Sequence, residues 1–309
     1  MNNASDLKIV ENVQQEKEEE MYSRKTKIED VINDEVFEDY GKLIFPVESR
    51  YYSGDTLEDL QLTWYNNINP DKTVEIVNYM KESVMNGQTI FYDIYSDEEK
   101  RLDPDKEDTG LFFFKGNEGE KFAICNAGGA FAYVGALHDS FPHALELSKK
   151  GYNAFALIYR PGAQSACEDL SQAISFIFEH QKELGVSVED YSLWGGSAGA
   201  RMAAWVGSYG TEAFISKAYP KPITVVMQYT GLSEYSENDP ATFVTVGEND
   251  WIADYRVMKR RLEGMNNLGI PTEFHSYPGL SHGFGLGEGT IAEGWLNEAI
   301  SFWEEQCNK

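Results

Sequence analysis

The stretch Tyr191-Ser192-Leu193-Trp194-Gly195-Gly196-Ser197-Ala198-Gly199-Ala200-Arg201 constrains this chain more than any other. It opens apolar and strand-like, reaches Gly-x-Ser-x-Gly, and runs on through Met202-Ala203-Ala204-Trp205-Val206, which are good helix formers. A strand that passes into a helix through a serine flanked by glycines makes one sharp turn. On such a turn the serine hydroxyl stands above the sheet as an exposed nucleophile. Side chains two residues before and two after the serine would collide there, which is the role read for Gly195 and Gly199. The following helix brings its positive dipole end near the hydroxyl. The pentapeptide alone recurs by chance, and a glycine-rich turn without chemistry is its plain alternative, so its context has to carry the reading.

That context is an alternation of strands and helices. Strands are expected over 89–96, 111–114 and 121–127, the second and third joined by the hairpin-like loop Gly116-Asn117-Glu118-Gly119. Further strands are expected over 153–159, 191–194, 223–229, 241–246 and 272–277. Helices are expected over 141–150, 166–184, 254–268 and 291–305 and directly after Ser197. Such alternation predicts an α/β fold: a mostly parallel eight-stranded sheet with helices on both faces, and ligands bound at the carboxyl ends of the strands.

The front of the chain reads differently. Residues 1–110 hold 27 acidic and 12 basic residues, so most of the chain's net charge of −25 lies there. Residues 1–21 are expected to be a solvated acidic tail, residues 22–87 a helical extension, and residues 88–309 the catalytic domain. Within the extension, Ile28, Val31, Ile32, Val36, Phe37 and Tyr40 fall at helical spacing up to Gly41. Asp55 with Glu58 resembles a capping box opening a helix from Leu57 to Trp64, and Val74, Val77, Met80 and Val84 form a stripe closed by Gly87. These helices have two candidate places: a remote face of the core, or the groove above the strand ends. In the groove, Tyr51, Tyr52, Trp64 and Tyr65 would line the site.

Charge and composition exclude several functions. A net charge of −25 repels nucleic acid, and no apolar run approaches the roughly 20 residues of a membrane span. Cys125, Cys167 and Cys307 have neither metal-ligand spacing nor a disulfide pattern, and Cys125 reads as a small core residue. No metal or other cofactor is implied. The first twenty residues lack an apolar signal segment, so a cytoplasmic location is expected, the alternative being export with a leader missing from this sequence.

A serine needs a base, and the base needs an orienting carboxylate. Of five histidines, His180 lies in a helix, His275 in a strand, and His138 and His143 before or at the start of a helix. His282 stands in a glycine-rich loop directly after the last strand, on the same edge as Ser197, and is the expected base. The loop Gly247-Glu248-Asn249-Asp250 reaches that edge too. Asp250 is the expected carboxylate, with Glu248 and Asp254 as rivals and Asp254 also a candidate helix cap. The oxyanion needs backbone N–H donors. Ala198 supplies one, and Gly129 and Ala130, in the loop after the third strand, are the others.

The order Ser197, Asp250, His282 at these strand positions resembles the α/β-hydrolase superfamily. The loop Ala127-Gly128-Gly129-Ala130-Phe131-Ala132-Tyr133 resembles the His-Gly-Gly-Gly oxyanion loop of hormone-sensitive-lipase-like and acetylxylan-esterase-like carboxylesterases. The segment Leu157-Ile158-Tyr159-Arg160-Pro161-Gly162 is similar to their Tyr-Arg stretch. The departures are Ala127 for the leading histidine, Ala130 for the third glycine, and Ala200-Arg201 after the elbow. The resemblance covers residues 88–309 and implies cofactor-free hydrolysis of a small carboxylic ester through an acyl-enzyme, with Tyr133 and Arg160 at the substrate. A short acyl group is expected, an acetylated carbohydrate being one candidate. A peptidase or amidase of the same fold and a non-catalytic binding protein on this scaffold are the alternatives. The sequence leaves the oligomeric state open.

Overall fold

The computed structural model describes residues 21–66 and 68–309; all but the last residue of the expected acidic tail lies outside the described residues. Strands β1 (Tyr52–Ser53) and β2 (Gln61–Leu62) form a small antiparallel hairpin. The main sheet holds β3 (Phe91–Tyr92), β4 (Gly110–Phe114), β5 (Lys121–Asn126), β6 (Asn153–Ile158), β7 (Ser187–Gly196), β8 (Thr224–Gln228), β9 (Ala241–Gly247) and β10 (Thr272–Tyr277), in the spatial order β10-β9-β8-β7-β5-β6-β4-β3. The six strands β5 to β10 pair in parallel, whereas β4 runs antiparallel to both β6 and β3. The central strands read as continuous apolar runs, such as Asn-Ala-Phe-Ala-Leu-Ile in β6, because both faces are covered.

The helices are α1 (Ile28–Ile32), α2 (Pro70–Met85), α3 (Asp97–Leu102), α4 (Ala136–Asp139), α5 (Phe141–Lys149), α6 (Ala163–Leu184), α7 (Ala198–Tyr209), α8 (Tyr255–Asn267) and α9 (Trp295–Cys307). Helices α5 and α7 pack on β5, α8 on β9 and β10, and α9 on β8 and β9. The sheet's order reverses at β5, which has β6 on one side and β7 on the other. A crevice opens beyond the carboxyl ends of the strands at such a point.

Five local expectations change. The loop after β4 is not a hairpin turn, because β6 lies between β4 and β5. The loop instead crosses the start of β6, where the Asn153 amide donates to the carbonyls of Asn117 and Glu120 at 3.0 and 2.8 Å and its oxygen accepts from Gly116 N–H at 3.0 Å. The apolar stripe from Ile28 to Tyr40 is not one helix. Asp34 accepts from Val36 N–H at 3.0 Å and starts a separate 3₁₀ segment, Glu35–Ile44, kinked at Glu38. The segment from Leu57 to Trp64 is the hairpin's connection and second strand rather than a helix, and the Asp55 carbonyl accepts from Ile28 N–H at 3.0 Å. The strand expected over 89–96 shrinks to Phe91–Tyr92, because Ser96 and Glu99 form a capping box that opens α3. The last helix starts at Trp295, four residues later than expected.

Helix α2 matches its signals: Asn69 caps it, Pro70 stands in its first turn, and Gly87 follows its end with φ +78°. The segment before β3 has no core of its own. Ile28, Val31, Phe37, Leu60, Ile76 and Met80 are buried in the same apolar cluster as the sheet, and Tyr40 stacks on Phe91 with centroids 4.7 Å apart.

His143 of α5 is 3% exposed and lies beside Trp295, ring centroids 5.6 Å apart. Burial holds its pKa down, from the ordinary 6.5 to about 4. The unfolded chain therefore takes up a proton at this position that the folded chain refuses, and stability falls as pH drops from about 6.5 towards 4. The expected contribution is about 2 kcal/mol between pH 7 and pH 5. His143→Phe should flatten the pH dependence of urea unfolding by that amount across the same interval; an unchanged slope would contradict a neutral buried imidazole.

Candidate active site

The register of the two central strands places the site. Asn126 of β5 pairs with Gly195 of β7, so the loop leaving β5 and the turn leaving β7 emerge side by side. Ser197 occupies that turn with φ 51° and ψ −114°, a strained conformation for a residue with a side chain. A Cβ on Gly199 would collide with the Asn126 carbonyl, and one on Gly195 with the Gly199 backbone. Both glycines are therefore required by close backbone approach.

The His282 imidazole lies between two partners. Its Nε2 is 3.0 Å from Ser197 Oγ and its Nδ1 is 2.7 Å from Asp250 Oδ2. The Asp250 side chain is fully buried, and its other oxygen accepts from the N–H groups of Ile252 and Ala253 at 2.8 Å each. The two supporting loops are joined by their backbones. Glu248 N–H donates to the Tyr277 carbonyl and Asn249 N–H to the Leu280 carbonyl, both at 3.0 Å. The rival carboxylates are engaged elsewhere: Glu248 accepts from the Ser276 hydroxyl at 2.8 Å, and Asp254 caps α8 through Arg256 N–H at 2.9 Å. His138 donates from Nε2 to the Gly283 carbonyl at 2.7 Å, which supports the His282 loop from below.

The loop after β5 curls over Ser197. Gly129 has φ +132°, and Ala130 and Phe131 both have φ 57°. The N–H groups of Gly129, Ala130 and Ala198 find no acceptor among the described residues. Free backbone donors in a loop beside a hydroxyl nucleophile are what an oxyanion requires. The loop is held by the Tyr159 hydroxyl, which donates to the Ala127 carbonyl at 2.6 Å, and by Gly135 N–H, which donates to the Gly128 carbonyl at 3.0 Å.

Tyr133 and Arg160 line one cavity of about 520 Å³, together with Phe45, Tyr51, Asp103 and Tyr159; Ser197 and His282 are not among its walls. Tyr133 stacks on Tyr51 at 4.7 Å, with Trp64 at 5.9 Å, and donates its hydroxyl to the Thr63 carbonyl. Arg160 is mostly committed to protein: its guanidinium faces buried Asp169 at 2.7 Å and Asp103 at 2.7 Å. Two residues absent from the sequence reading, Asp139 and Tyr229, also belong here, together with Tyr65, which the sequence offered as a site-lining residue. Asp139, Tyr65 and Tyr229 meet beneath the loop, and Tyr229 sets its ring edge-on to His282 with centroids 5.1 Å apart. The one signal for Asp139 is that it is the only acidic residue between Glu120 and Glu146.

The family model BD-FAE matches residues 115–232, a span that includes the glycine loop and Ser197 and ends before Asp250 and His282. Among curated proteins none matches. Several solved structures share the fold. An acetyl ester-xyloside bifunctional hydrolase from Caldicellulosiruptor lactoaceticus has 20% identity and a TM-score of 0.60, over 70% of this chain and 95% of that one. A propionate-bound esterase from the planctomycete Thermogutta terrifontis has 18% identity and a TM-score of 0.57, over 64% and 89%. MGS-M1, an α/β hydrolase from a Medee basin deep-sea metagenome library, has 19% identity and a TM-score of 0.54, over 65% and 93%. Roughly a third of this chain thus has no counterpart in them.

The loop geometry separates two substitutions. In Gly129→Ala the new methyl would collide with the Tyr133 carbonyl at a positive φ, so the loop must move. Ala130→Gly keeps the donor and relieves a left-handed alanine, a strain of about 1 kcal/mol. The expected kcat on p-nitrophenyl acetate is reduced by roughly 100-fold or more in the first and by less than about threefold in the second. An unchanged kcat in Gly129→Ala would remove the loop from the reaction.

Proposed function

We infer that this chain, a member of the α/β-hydrolase superfamily, is a serine carboxylesterase that cleaves short acyl esters without a cofactor. The observation that carries the reading is the unbroken line of hydrogen bonds from Asp250 through His282 to Ser197, 2.7 and 3.0 Å long. Ser197 Oγ attacks the ester carbonyl as His282 Nε2 takes its proton. Gly129, Ala130 and Ala198 N–H groups receive the developing oxyanion, and His282 returns the proton to the departing alcohol. Water then repeats the sequence on the acyl-enzyme. Asp250, held by two backbone N–H groups, keeps Nδ1 protonated and the ring aligned.

The preference for esters is supported by esterases among the proteins of like fold, and one of these is named for acetyl ester-xyloside hydrolysis. The cavity beside the loop offers aromatic faces from Tyr51 and Tyr133 and acceptor oxygens from Glu48, Asp103 and Asp105. Such a surface suits the hydroxyl-rich alcohol part of an acetylated sugar.

Ser197→Ala should remain folded and lose on the order of 10⁶-fold in kcat on p-nitrophenyl acetate. Asp250→Asn should lose about 10⁴-fold, because the imidazole then takes the wrong tautomer, and Asp254→Asn, which only weakens a helix cap, far less. Near wild-type turnover by folded Ser197→Ala would end the reading. Faster cleavage of p-nitroanilides than of the esters would move the enzyme to the amidases.

A further inference from the structure

Four buried carboxylates have a visible account of their charge, and one of them differs from the rest. Asp169 and Asp239 each face an arginine, and Asp250 faces His282. Asp139, 2% exposed, instead meets two phenols and one peptide. Its Oδ2 accepts from Gly128 N–H at 2.6 Å and from the Tyr65 hydroxyl at 2.7 Å, and its Oδ1 accepts from the Tyr229 hydroxyl. Burying a carboxylate costs several kcal/mol unless hydrogen bonds replace its water. These three charge-assisted bonds do so. Burial and the charge of Asp139 push both phenols well above their ordinary range, so they stay protonated as donors.

The donors come from three places that are remote in sequence. Tyr65 ends the N-terminal hairpin, Gly128 opens the glycine loop, and Tyr229 follows β8. All three meet directly under the reacting groups. A Cβ on Gly128 would lie 2.5 Å from the Tyr65 hydroxyl, 2.8 Å from Ser197 Cβ and 3.0 Å from the carboxylate; one on Gly196 would collide with that carboxylate. Tyr229 continues the contact to the His282 ring. With the first peptide of the loop tied down through Gly128 N–H, the directions open to the next two donors, Gly129 and Ala130, are limited.

We propose that Asp139 is a positioning residue for the hydrolysis: clamped by Tyr65 and Tyr229, it sets the glycine loop against Ser197, and through Tyr65 the N-terminal segment becomes part of the catalytic apparatus. This rests on the esterase reading above. Asp139 touches no reacting atom. Its effect passes through the loop, so it acts on the transition state rather than on substrate binding.

The experiment uses the full chain, with active sites counted by fluorophosphonate labelling of Ser197. Tyr65→Phe, Tyr229→Phe and Asp139→Asn are assayed on p-nitrophenyl acetate and titrated with a short-chain alkyl trifluoromethyl ketone, which forms an oxyanion on the nucleophile. In Tyr65→Phe, kcat per labelled site should fall roughly 10- to 100-fold with KM within about twofold, and the ketone's Ki should weaken by the same factor as kcat. The Tyr65→Phe/Asp139→Asn double variant should be no slower than the slower single, because both act through one bond. A purely structural clamp would lower the melting temperature and leave kcat per site and the ketone's Ki at wild-type values; that result overturns the proposal. Should Asp139→Asn fail to fold, the two phenylalanine variants, each lacking one hydroxyl, decide. A wild-type protein that neither hydrolyses the ester nor labels at Ser197 defeats the esterase reading, and the proposal with it, and is distinct from an active wild type with unaffected variants.

Discussion

Two backbones approach so closely at the ends of β5 and β7 that only hydrogen fits between them. The Asn126 carbonyl lies where a Gly199 side chain would be, and the Gly199 backbone lies where a Gly195 side chain would be. This close packing forces Ser197 into a positive φ and starts α7 at once. It also brings the glycine loop after β5 directly over the serine. Because Asn126 and Gly195 are paired in the ladder, the spacing of loop and hydroxyl is set by strand register rather than by loop flexibility. The line from Asp250 to Ser197 depends on the same register one and two strands further along, through β8 and β9.

The interior handles charge with two different chemistries. Two carboxylates are buried against guanidinium groups, Asp169 against Arg160 and Asp239 against Arg261. Removing one partner from such a pair would leave an uncompensated charge. Beside Ser197, Asp139 and Asp250 meet no guanidinium or ammonium group among the described residues. Asp250 is satisfied by two N–H groups and an imidazole, and Asp139 by two phenols and an N–H group. Hydrogen-bond donors alone satisfy these two carboxylates.

The N-terminal segment is bound to the sheet and its surroundings at two levels. Its apolar residues share the core that covers the sheet, and Tyr40 stacks on Phe91 of β3. Its hairpin delivers Tyr51, Trp64 and Tyr65 to the neighbourhood of the glycine loop, Tyr51 stacked on Tyr133 and Tyr65 bonded to Asp139. Of the two places the sequence leaves open for this segment, the structure has its hairpin at the strand ends and α2 against α5.

The sequence by itself determined the elements that obey local rules. Alternation of apolar runs with helical stripes gives the α/β class and five of the six parallel strands within two residues, and only β7 starts four residues before its apolar run. Gly195 and Gly199 around a serine announce a strained turn, and residues just beyond strand ends mark Asp250, His282 and the glycine loop as neighbours. The tertiary structure alone decided what depends on partners distant in the chain. That β6 separates β4 from β5 is set by pairing, which a loop of suitable glycines does not reveal. Asp34 outcompetes a helical stripe because its side chain serves the backbone and also meets Lys81 and Tyr22. The choice of Asp250 over Glu248 and Asp254 lies in which carboxyl faces Nδ1, a matter of a few ångströms. Asp139 looks in sequence like an isolated acid between Glu120 and Glu146; its meaning exists only where Tyr65, Gly128 and Tyr229, 164 positions apart at the extremes, bring three donors to one buried carboxylate.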